Sequence, residues 1–346
     1  MKITRSRFGL LADGREVFLY VLKAGDLRLC LSSLGASWTS LRVPSSRGGR
    51  GEVLLGYGGL EGYLADTAFM GATPGRFANR IAGSRFTIEG RECVTDANEG
   101  RNTLHGGRAG FSGRLWKSEA YEEGDGIFVR FELKSGDGDC GFPGNLRARV
   151  TYGLTKAGEV TAFYRAKCDE PTPVNLTNHA YFNLAGDGGP PITGHALALN
   201  CSSYLEVDAE AIPTGRLLPV KGGPFDFREG KEIGRDLTEA EGGLTGYDHC
   251  FTVDGDPGRL RPCAAVSEES SGRTMRVFTT QPGVQFYTGD KLGGIKGRNG
   301  VYSRHSGFCL ETQHFPDAPN RPDFPQAVCG PGRVYEERAV FSFEIA

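Results

Sequence analysis

The chain has 346 residues, of which 40 are Lys or Arg and 42 are Asp or Glu, so its formal net charge is −2 with the histidines neutral. Both signs are interspersed without a long block of either, which argues against a nucleic acid or an anionic membrane as the partner. Glycine (52) and proline (18) are abundant, and no segment keeps helical apolar spacing over four turns. This combination favours many strands and turns over helices.

The predicted strands are alternating segments bounded by turn residues. In chain order they cover residues 16–31, 127–133, 160–166, 194–200, 274–280 and 338–345. Short helical pieces are expected only around Glu232 to Glu241, and looser loops over 45–51, 135–145, 221–243 and 315–332. Because no flexible linker, repeat or low-complexity tract interrupts the chain, we expect one antiparallel β domain over residues 1–346.

The segment Val174 to Leu184 alternates most strictly and is predicted to be a strand. One face is apolar, and the other consists of Asn175, Thr177, His179, Tyr181 and Asn183. A polar strand face usually points to solvent. This face holds amides, a hydroxyl, an imidazole and a phenol but no Lys or Glu, which favours a lined pocket for a neutral, hydroxyl-rich ligand such as a sugar.

Nine cysteines are scattered along the chain without a Cys-x-x-Cys pair, which argues against a disulfide framework or a zinc site and favours reduced thiols. The six histidines have no pair at the spacing of a helical metal site. The N-terminus lacks the apolar run of a signal peptide, and no stretch approaches membrane-spanning length. We therefore expect a soluble, cytoplasmic protein without a metal.

Glu311 lies between Leu310 and Thr312 in an apolar strand. Acidic residues are rarely buried without partners, and loss of water would raise the pKa of this carboxyl and suit it to accept a proton near neutral pH. The alternative is a structural ion pair with an arginine such as Arg80.

Three other positions carry candidate binding groups. Asn79 and Arg80 offer a dense set of donors, although such arginines also clamp loops. His105 precedes two glycines, so its imidazole is presented at a loop edge, either for binding or as a turn residue. Asp248 could orient a hydroxyl or cap a turn.

Long motifs then link these residues. They are GATPGRFANRI (71–81), NEGRNTLHGG (98–107), NLTNHAYFNLAG (175–186), GYDHCF (246–251), QPGVQFYTGD (281–290), FCLETQHFPDAPN (308–320) and PGRVYEE (331–337). In sequence and in order these blocks resemble the aldose 1-epimerase family. The resemblance implies a large antiparallel β-sandwich of the galactose mutarotase type, with an open sugar-binding cleft and few short helices.

The resemblance also implies roles for individual residues. Glu311 matches the general base and His179 the general acid. The resemblance implies substrate-binding roles for Arg80, His105, Asp248 and Gln281. The residue patterns add Asn79 and Tyr181 to the expected substrate-binding residues. No metal or organic cofactor is implied, and the expected partner is a free aldose bound by a monomer or homodimer. Pro74 and Asp290 depart from the family pattern at positions that affect shape more than chemistry.

The expected reaction interconverts α and β hemiacetals. Glu311 would remove the C1 hydroxyl proton while protonated His179 donates to the ring oxygen, and the ring would open, rotate about C1–C2 and close again. Three alternatives remain at this point: a non-catalytic sugar-binding module, a phosphosugar epimerase, and a glycoside hydrolase, which ordinarily needs two carboxylates.

Overall fold

The computed structural model describes residues 1–238 and 243–345, and most of its regular structure is antiparallel strand. The first strands are β1 (Lys2–Leu10), β2 (Glu16–Ala24), β3 (Leu27–Ser32), β4 (Ser37–Pro44), β5 (Arg50–Glu52), β6 (Arg80–Ile81), β7 (Arg85–Ile88), β8 (Arg91–Val94), β9 (Thr103–Leu104), β10 (Lys117–Glu123), β11 (Gly126–Ser135), β12 (Leu146–Thr155), β13 (Glu159–Cys168) and β14 (Thr172–Pro173). The others are β15 (Ala196–Leu199), β16 (Cys201–Val207), β17 (Pro213–Pro219), β18 (Lys231–Glu232), β19 (Asp248–Val253), β20 (Arg261–Glu268), β21 (Arg273–Thr279), β22 (Gly283–Tyr287), β23 (Lys296–Gly297), β24 (Gly300–Val301), β25 (Cys309–Gln313), β26 (Val328–Cys329) and β27 (Tyr335–Ile345).

Helical structure is sparse. Among the residues that the structure describes, it comprises one α-helix, α1 (Leu60–Leu64), and 3₁₀ turns at Ala82–Ser84, Phe111–Gly113, Asp139–Gly141, Ile192–Gly194 and Ala318–Asn320. In the described ranges, no helix is long and apolar enough to cross a membrane.

Among the described residues, three large sheets hold most of the strands, and the pairs β6-β9, β7-β8, β14-β26 and β23-β24 form four two-stranded sheets. The first has the order β1-β2-β3-β4-β5, the second β10-β11-β12-β13-β27-β21-β20-β15-β18, and the third β17-β16-β19-β22-β25. In the first sheet, Ala24 pairs with Leu27 across the two-residue turn Gly25-Asp26. Gly25 has φ +53°, a left-handed conformation that glycine adopts without a Cβ clash and that tight hairpins require.

A continuous apolar core joins the inner faces of the three sheets. Leu29 of the first sheet, Val150 of the second and Val284 and Phe286 of the third are all fully buried in it. Each such side chain stabilises the fold by roughly 1.5–3 kcal/mol relative to exposure. The core explains the alternation in the sequence, because one residue in two faces it.

The predicted all-β, antiparallel fold is confirmed, and each of the six alternating segments contains strand. They correspond to β2 with β3, β11, β13, β15, β21 and β27. The helical prediction around Glu232 is wrong for the described part, because β18 ends at Glu232, a turn covers 233–236, and Leu237 and Thr238 are irregular. Residues 239–241 of that prediction lie outside the described residues.

The prediction of a strand from Val174 to Leu184 is also wrong. The segment makes only isolated bridges, at Asn175 and Phe182. Its other backbone groups bond to separate loops: His179 N donates to Ala72 O at 2.8 Å, and Tyr181 O accepts from Leu55 N at 2.9 Å. The segment is therefore wedged between loops, and both of its faces are buried.

Candidate active site

The floor of the site is one face of the third sheet. Glu311 on β25 is the direct cross-strand partner of Gln285 on β22, and Asp248 on β19 is the partner of Tyr287. Direct partners, and residues two apart on a strand, project to the same side of a sheet. The carboxyl groups of Glu311 and Asp248 and the amide of Gln285 therefore share a face, while Phe286 and the other alternate residues enter the core.

A pair of left-handed residues forms the second wall. Asn79 has φ +63° and His105 has φ +51°, and they flank the short β6–β9 ladder in which Arg80 pairs with Leu104. His105 N donates to Asn79 O at 3.0 Å, and Asn79 N donates to His105 Nδ1 at 3.1 Å. These reciprocal bonds hold the imidazole in one orientation.

Aromatic rings complete the enclosure. The His179 ring lies 5.3 Å from that of His105 and 5.0 Å from that of Tyr181, centroid to centroid. The Phe69 ring is 4.5 Å from His105. Tyr181 donates its hydroxyl to Ala68 O at 3.1 Å, which fixes the phenol against the loop that carries Phe69.

These walls surround a cavity of about 290 Å³, near the lower end of the range for small-molecule sites. Seven of the eight predicted site residues line it: Arg80, Asn79, His105, His179, Tyr181, Asp248 and Glu311. The others in its lining are Thr67, Ala68, Phe69, Glu99, Leu104, Tyr287, Lys291 and Ile295. The fold therefore brings seven of the eight predicted residues together in one cleft.

Gln281 is not brought into the cleft. It is fully buried just before β22 begins, where its Nε2 donates to Thr312 O at 2.8 Å and Leu176 O at 3.3 Å. The expectation that Gln281 binds substrate therefore lacks structural support, because both contacts tie the amide to the protein backbone.

Gln285 was missed by the sequence analysis. Its Nε2 donates to Asp248 Oδ1 at 2.6 Å, and its side chain is 3% exposed. Gln281 and Gln285 both occur in the motif QPGVQFYTGD. The one sequence feature that pointed to Gln285 was its position inside the apolar run 283–287, from which it could face Glu311. That choice needs the register between β22 and β25, which local sequence does not specify.

Arg80 forms its strongest ion pair with a residue that the sequence analysis had not singled out. Its Nε and Nη2 donate to the two carboxylate oxygens of Glu99 at 2.6 and 2.9 Å. Its Nη1 is 3.9 Å from Asp248 Oδ2. This bidentate geometry restrains the guanidinium plane, so the structural ion pair of Arg80 is with Glu99.

Glu311 faces His179, with Oε1 3.6 Å from Nε2. Burial, and secondarily the charge of Asp248, raises the pKa of the Glu311 carboxyl well above its usual range, against the opposing effect of Arg80. Burial lowers the pKa of His179 to about 4. Burial therefore favours the uncharged form of each group, the carboxylic acid of Glu311 and the neutral imidazole of His179.

Three side chains of the cleft are close enough together to bind a metal ion in principle. His105, His179 and Glu311 each offer a ligand atom, and these atoms lie within 4.8 Å of one another. However, Nδ1 of His105 accepts the Asn79 N–H, so the neutral ring carries its proton on Nε2 and has no free lone pair for an ion. The arrangement suits proton exchange with a hydroxyl-bearing molecule better than ion coordination.

The chain is similar to known proteins over nearly its whole length. The family model described as aldose 1-epimerase matches residues 19–342. The rat protein named galactose mutarotase is 44% identical over 100% of both chains, and the Escherichia coli protein named aldose 1-epimerase is 39% identical over 96% of this chain and 97% of its own.

Solved structures show the same fold. A crystal structure of an aldose epimerase homologue from C. elegans superposes with a TM-score of 0.87 at 29% identity, covering 95% of this chain and 99% of that one. The galactose 1-epimerase of Lactobacillus acidophilus shares the fold with a TM-score of 0.86 at 24% identity, covering 100% of this chain and 99% of that one. The extent of these matches confirms the resemblance of the motifs, and the chain belongs to the aldose 1-epimerase family.

Proposed function

We propose that this protein is an aldose 1-epimerase that interconverts the α and β anomers of free aldoses, with D-galactose and D-glucose as the first candidates. The observation that carries the proposal is the pair His179 and Glu311, whose Nε2 and Oε1 are 3.6 Å apart on one side of a cleft lined by hydroxyl-binding groups. The names of the relatives, galactose mutarotase and aldose 1-epimerase, support the same activity.

Opening the ring requires the removal of one proton and the addition of another. Glu311 as carboxylate takes the proton of the C1 hydroxyl, and His179 as imidazolium donates from Nε2 to the ring oxygen. The C1–O5 bond breaks and C1 becomes an aldehyde. After rotation about C1–C2, the C5 hydroxyl adds to the opposite face while both protons return. Each positioned transfer contributes about 10²- to 10⁴-fold to the rate.

The electrostatics of the cleft favour the open-chain intermediate. Opening leaves Glu311 protonated and His179 neutral, which is the distribution that burial already favours in the empty site. The reactive form, with carboxylate and imidazolium, arises when a proton crosses from Glu311 to His179 as the sugar displaces water. That form is the higher in energy of the two, so the ring-opening step restores the preferred charge state.

The remaining groups hold the sugar. Asp248, oriented by Gln285, accepts from a sugar hydroxyl, while Arg80, kept in one plane by Glu99, donates to another. His105 presents an N–H near the ring oxygen, and Asn79 orders that imidazole. Tyr181 and Phe69 supply apolar walls against the faces of the ring. Only the C1 end is then free to rotate.

The cleft argues against the alternatives. A phosphosugar needs cations for its phosphate, but the cations lining the cleft in the described chain, Arg80 and Lys291, both lie within 4 Å of Glu99. A glycoside hydrolase ordinarily uses two carboxylates across the bond, whereas the partner of Glu311 is an imidazole. A binding module would not need the acid and base pair.

The test is polarimetry of freshly dissolved α-D-galactose and α-D-glucose. Wild-type protein is expected to accelerate equilibration, whereas Glu311→Gln and His179→Asn lose at least about 10²-fold in kcat. His195→Gln, which changes a buried histidine outside the cleft, is the matched control and retains activity at neutral pH. Folded wild-type protein that accelerates neither these sugars nor other free aldoses would refute the proposal.

A further inference from the structure

The two imidazoles of the cleft differ in what lies against Nδ1. In His105, Nδ1 accepts the backbone N–H of Asn79 at 3.1 Å. In His179, Nδ1 lies 3.5 Å from the thiol of Cys309. A backbone N–H can only donate, whereas a thiol can donate or accept. The environment therefore fixes the tautomer of His105, whereas the thiol beside Nδ1 of His179 is compatible with either tautomer.

His105 is consequently unable to carry a proton through the reaction. Protonation of Nδ1 would place two N–H groups against each other, so the neutral ring with its proton on Nε2 is the form that fits. Burial first, and the nearby His179 and Arg80 next, also lower the pKa of His105 well below its usual range. His105 is thus a constant N–H donor toward the cleft.

His179 has the opposite requirement, which rests on the proposed function. Its Nε2 must alternate between N–H and a free lone pair as the proton moves to and from the ring oxygen. A neutral imidazole that has released the proton from Nε2 must retain the other one on Nδ1. We propose that Cys309 is a positioning residue whose Sγ accepts this Nδ1–H and so keeps Nε2 of His179 as the proton-carrying atom.

The placement of Cys309 fits this role. It is fully buried and lies two residues before Glu311 on the same face of β25. The thiol and the carboxyl therefore address opposite edges of the imidazole, Nδ1 and Nε2. Burial, with the charges of Glu311 and Asp248, raises the pKa of the Cys309 thiol well above its usual range, so the group remains neutral.

A neutral acceptor at Nδ1 has a consequence for acidity. A carboxylate in that position stabilises the imidazolium, as the aspartate does in serine-protease triads. A thiol is a weak acceptor without charge, so it orients the ring but barely stabilises the cation. His179 therefore remains a strong acid, as the protonation of a weakly basic ring oxygen requires.

The first test reads the tautomers without catalysis. Imidazole ¹⁵N spectra of the full-length, sugar-free protein near neutral pH are expected to show His179 protonated on Nδ1 and bare on Nε2, and His105 the reverse. Signals are assigned with His179→Asn and His105→Asn. A wild-type His179 protonated on Nε2 would overturn the proposal. Because this spectrum does not depend on turnover, it determines the tautomer of His179 even if the protein does not have the proposed activity.

The second test compares kinetics. Cys309→Ala is expected to lower kcat by about 10- to 100-fold, the size of loss seen when a metal-bound histidine loses its orienting partner, with KM unchanged and the Nε2–H tautomer of His179 appearing. Cys309→Ser restores an acceptor and most of kcat. Cys263→Ala, a matched loss of a buried thiol in the second sheet, retains wild-type kcat.

The pH dependence of kcat provides a readout that a packing role would not move. The titratable and charged groups around His179 are Glu311, Cys309, His105, Tyr181, Asp248 and Arg80. Cys309→Ala is expected to shift the limb of the kcat–pH profile that reports ionisation of the His179–Glu311 pair. Cys263→Ala is expected to leave that limb unchanged. A Cys309→Ala protein with wild-type kcat and pH profile would overturn the proposal. If that variant does not fold, the kinetics of Cys309→Ser and the wild-type ¹⁵N spectrum test the proposal instead.

Discussion

Replacing Gln285 by methionine removes the amide that donates to Asp248 Oδ1 at 2.6 Å and keeps a side chain of similar length. Gln281→Met is a matched change four residues earlier, where the lost amide served the carbonyls of Thr312 and Leu176 instead. The two variants therefore separate a role in the cleft from a role in the fold.

The size of each effect follows from the partner. A hydrogen bond to a charged group contributes about 1.5–3 kcal/mol, so loss of the bond to Asp248 is expected to lower kcat/KM by about 10- to 150-fold at about 1.36 kcal/mol per decade. Gln281→Met removes the amide donor from the buried carbonyls of Thr312 and Leu176, the second of which still accepts from the Tyr335 hydroxyl at 3.4 Å. This loss costs about 1–3 kcal/mol of unfolding free energy, with kcat/KM unchanged.

The assay is mutarotation of α-D-galactose followed by polarimetry, at a temperature where denaturation curves show both variants fully folded. Equal losses of kcat/KM in the two variants, or a larger loss in Gln281→Met, would refute the role of Gln285 in orienting Asp248.

Two further variants test the surroundings of the site. Burial lowers the pKa of His195 to about 4, so its contribution to stability is present above the unfolded pKa of about 6.5 and is lost as the pH falls. Between pH 7 and 5 the protein is expected to lose about 2 kcal/mol of unfolding free energy through His195. Urea denaturation at the two pH values should show that His195→Gln makes the pH-dependent loss smaller by that amount. The same loss in wild type and variant would contradict the prediction. Asp66 accepts from Ala68 N at 2.8 Å and Met70 N at 2.6 Å, so Asp66→Ala should loosen the loop that holds Phe69, lower the unfolding free energy by at least about 2 kcal/mol and raise KM. Wild-type KM and stability in Asp66→Ala would show that the loop needs no such support.

The order of the motifs and the alternation of apolar residues were sufficient to predict the family and the all-β fold. Alternation reports which face of a strand enters the core, and that property is local. The apolar setting of Glu311 likewise predicted a buried carboxyl, and Glu311 is 2% exposed. Cytoplasmic location, a monomer or homodimer, and a single domain over residues 1–346 remain predictions of the sequence.

The alternation predicted a strand wrongly where the backbone hydrogen-bond partners come from several segments. Val174 to Leu184 has a strand pattern but pairs with no single neighbour, because its amides and carbonyls bond to loops such as those at Leu55 and Ala72. Periodicity describes the side chains and not the partners of the backbone.

Three contacts depended on the tertiary structure alone. They are the register that aligns Gln285 with Glu311, the bond of Arg80 to Glu99 and the approach of Cys309 to His179, 130 residues apart in the chain. The sequence by itself determined which residue types were available and which of them alternate toward an interior. Which ones meet was decided by packing between distant parts of the chain. A shift of one residue in the register of β22 against β25 would turn Gln285 to the other face, whereas Glu99 and His179 lie outside the strands and are placed by tertiary contacts.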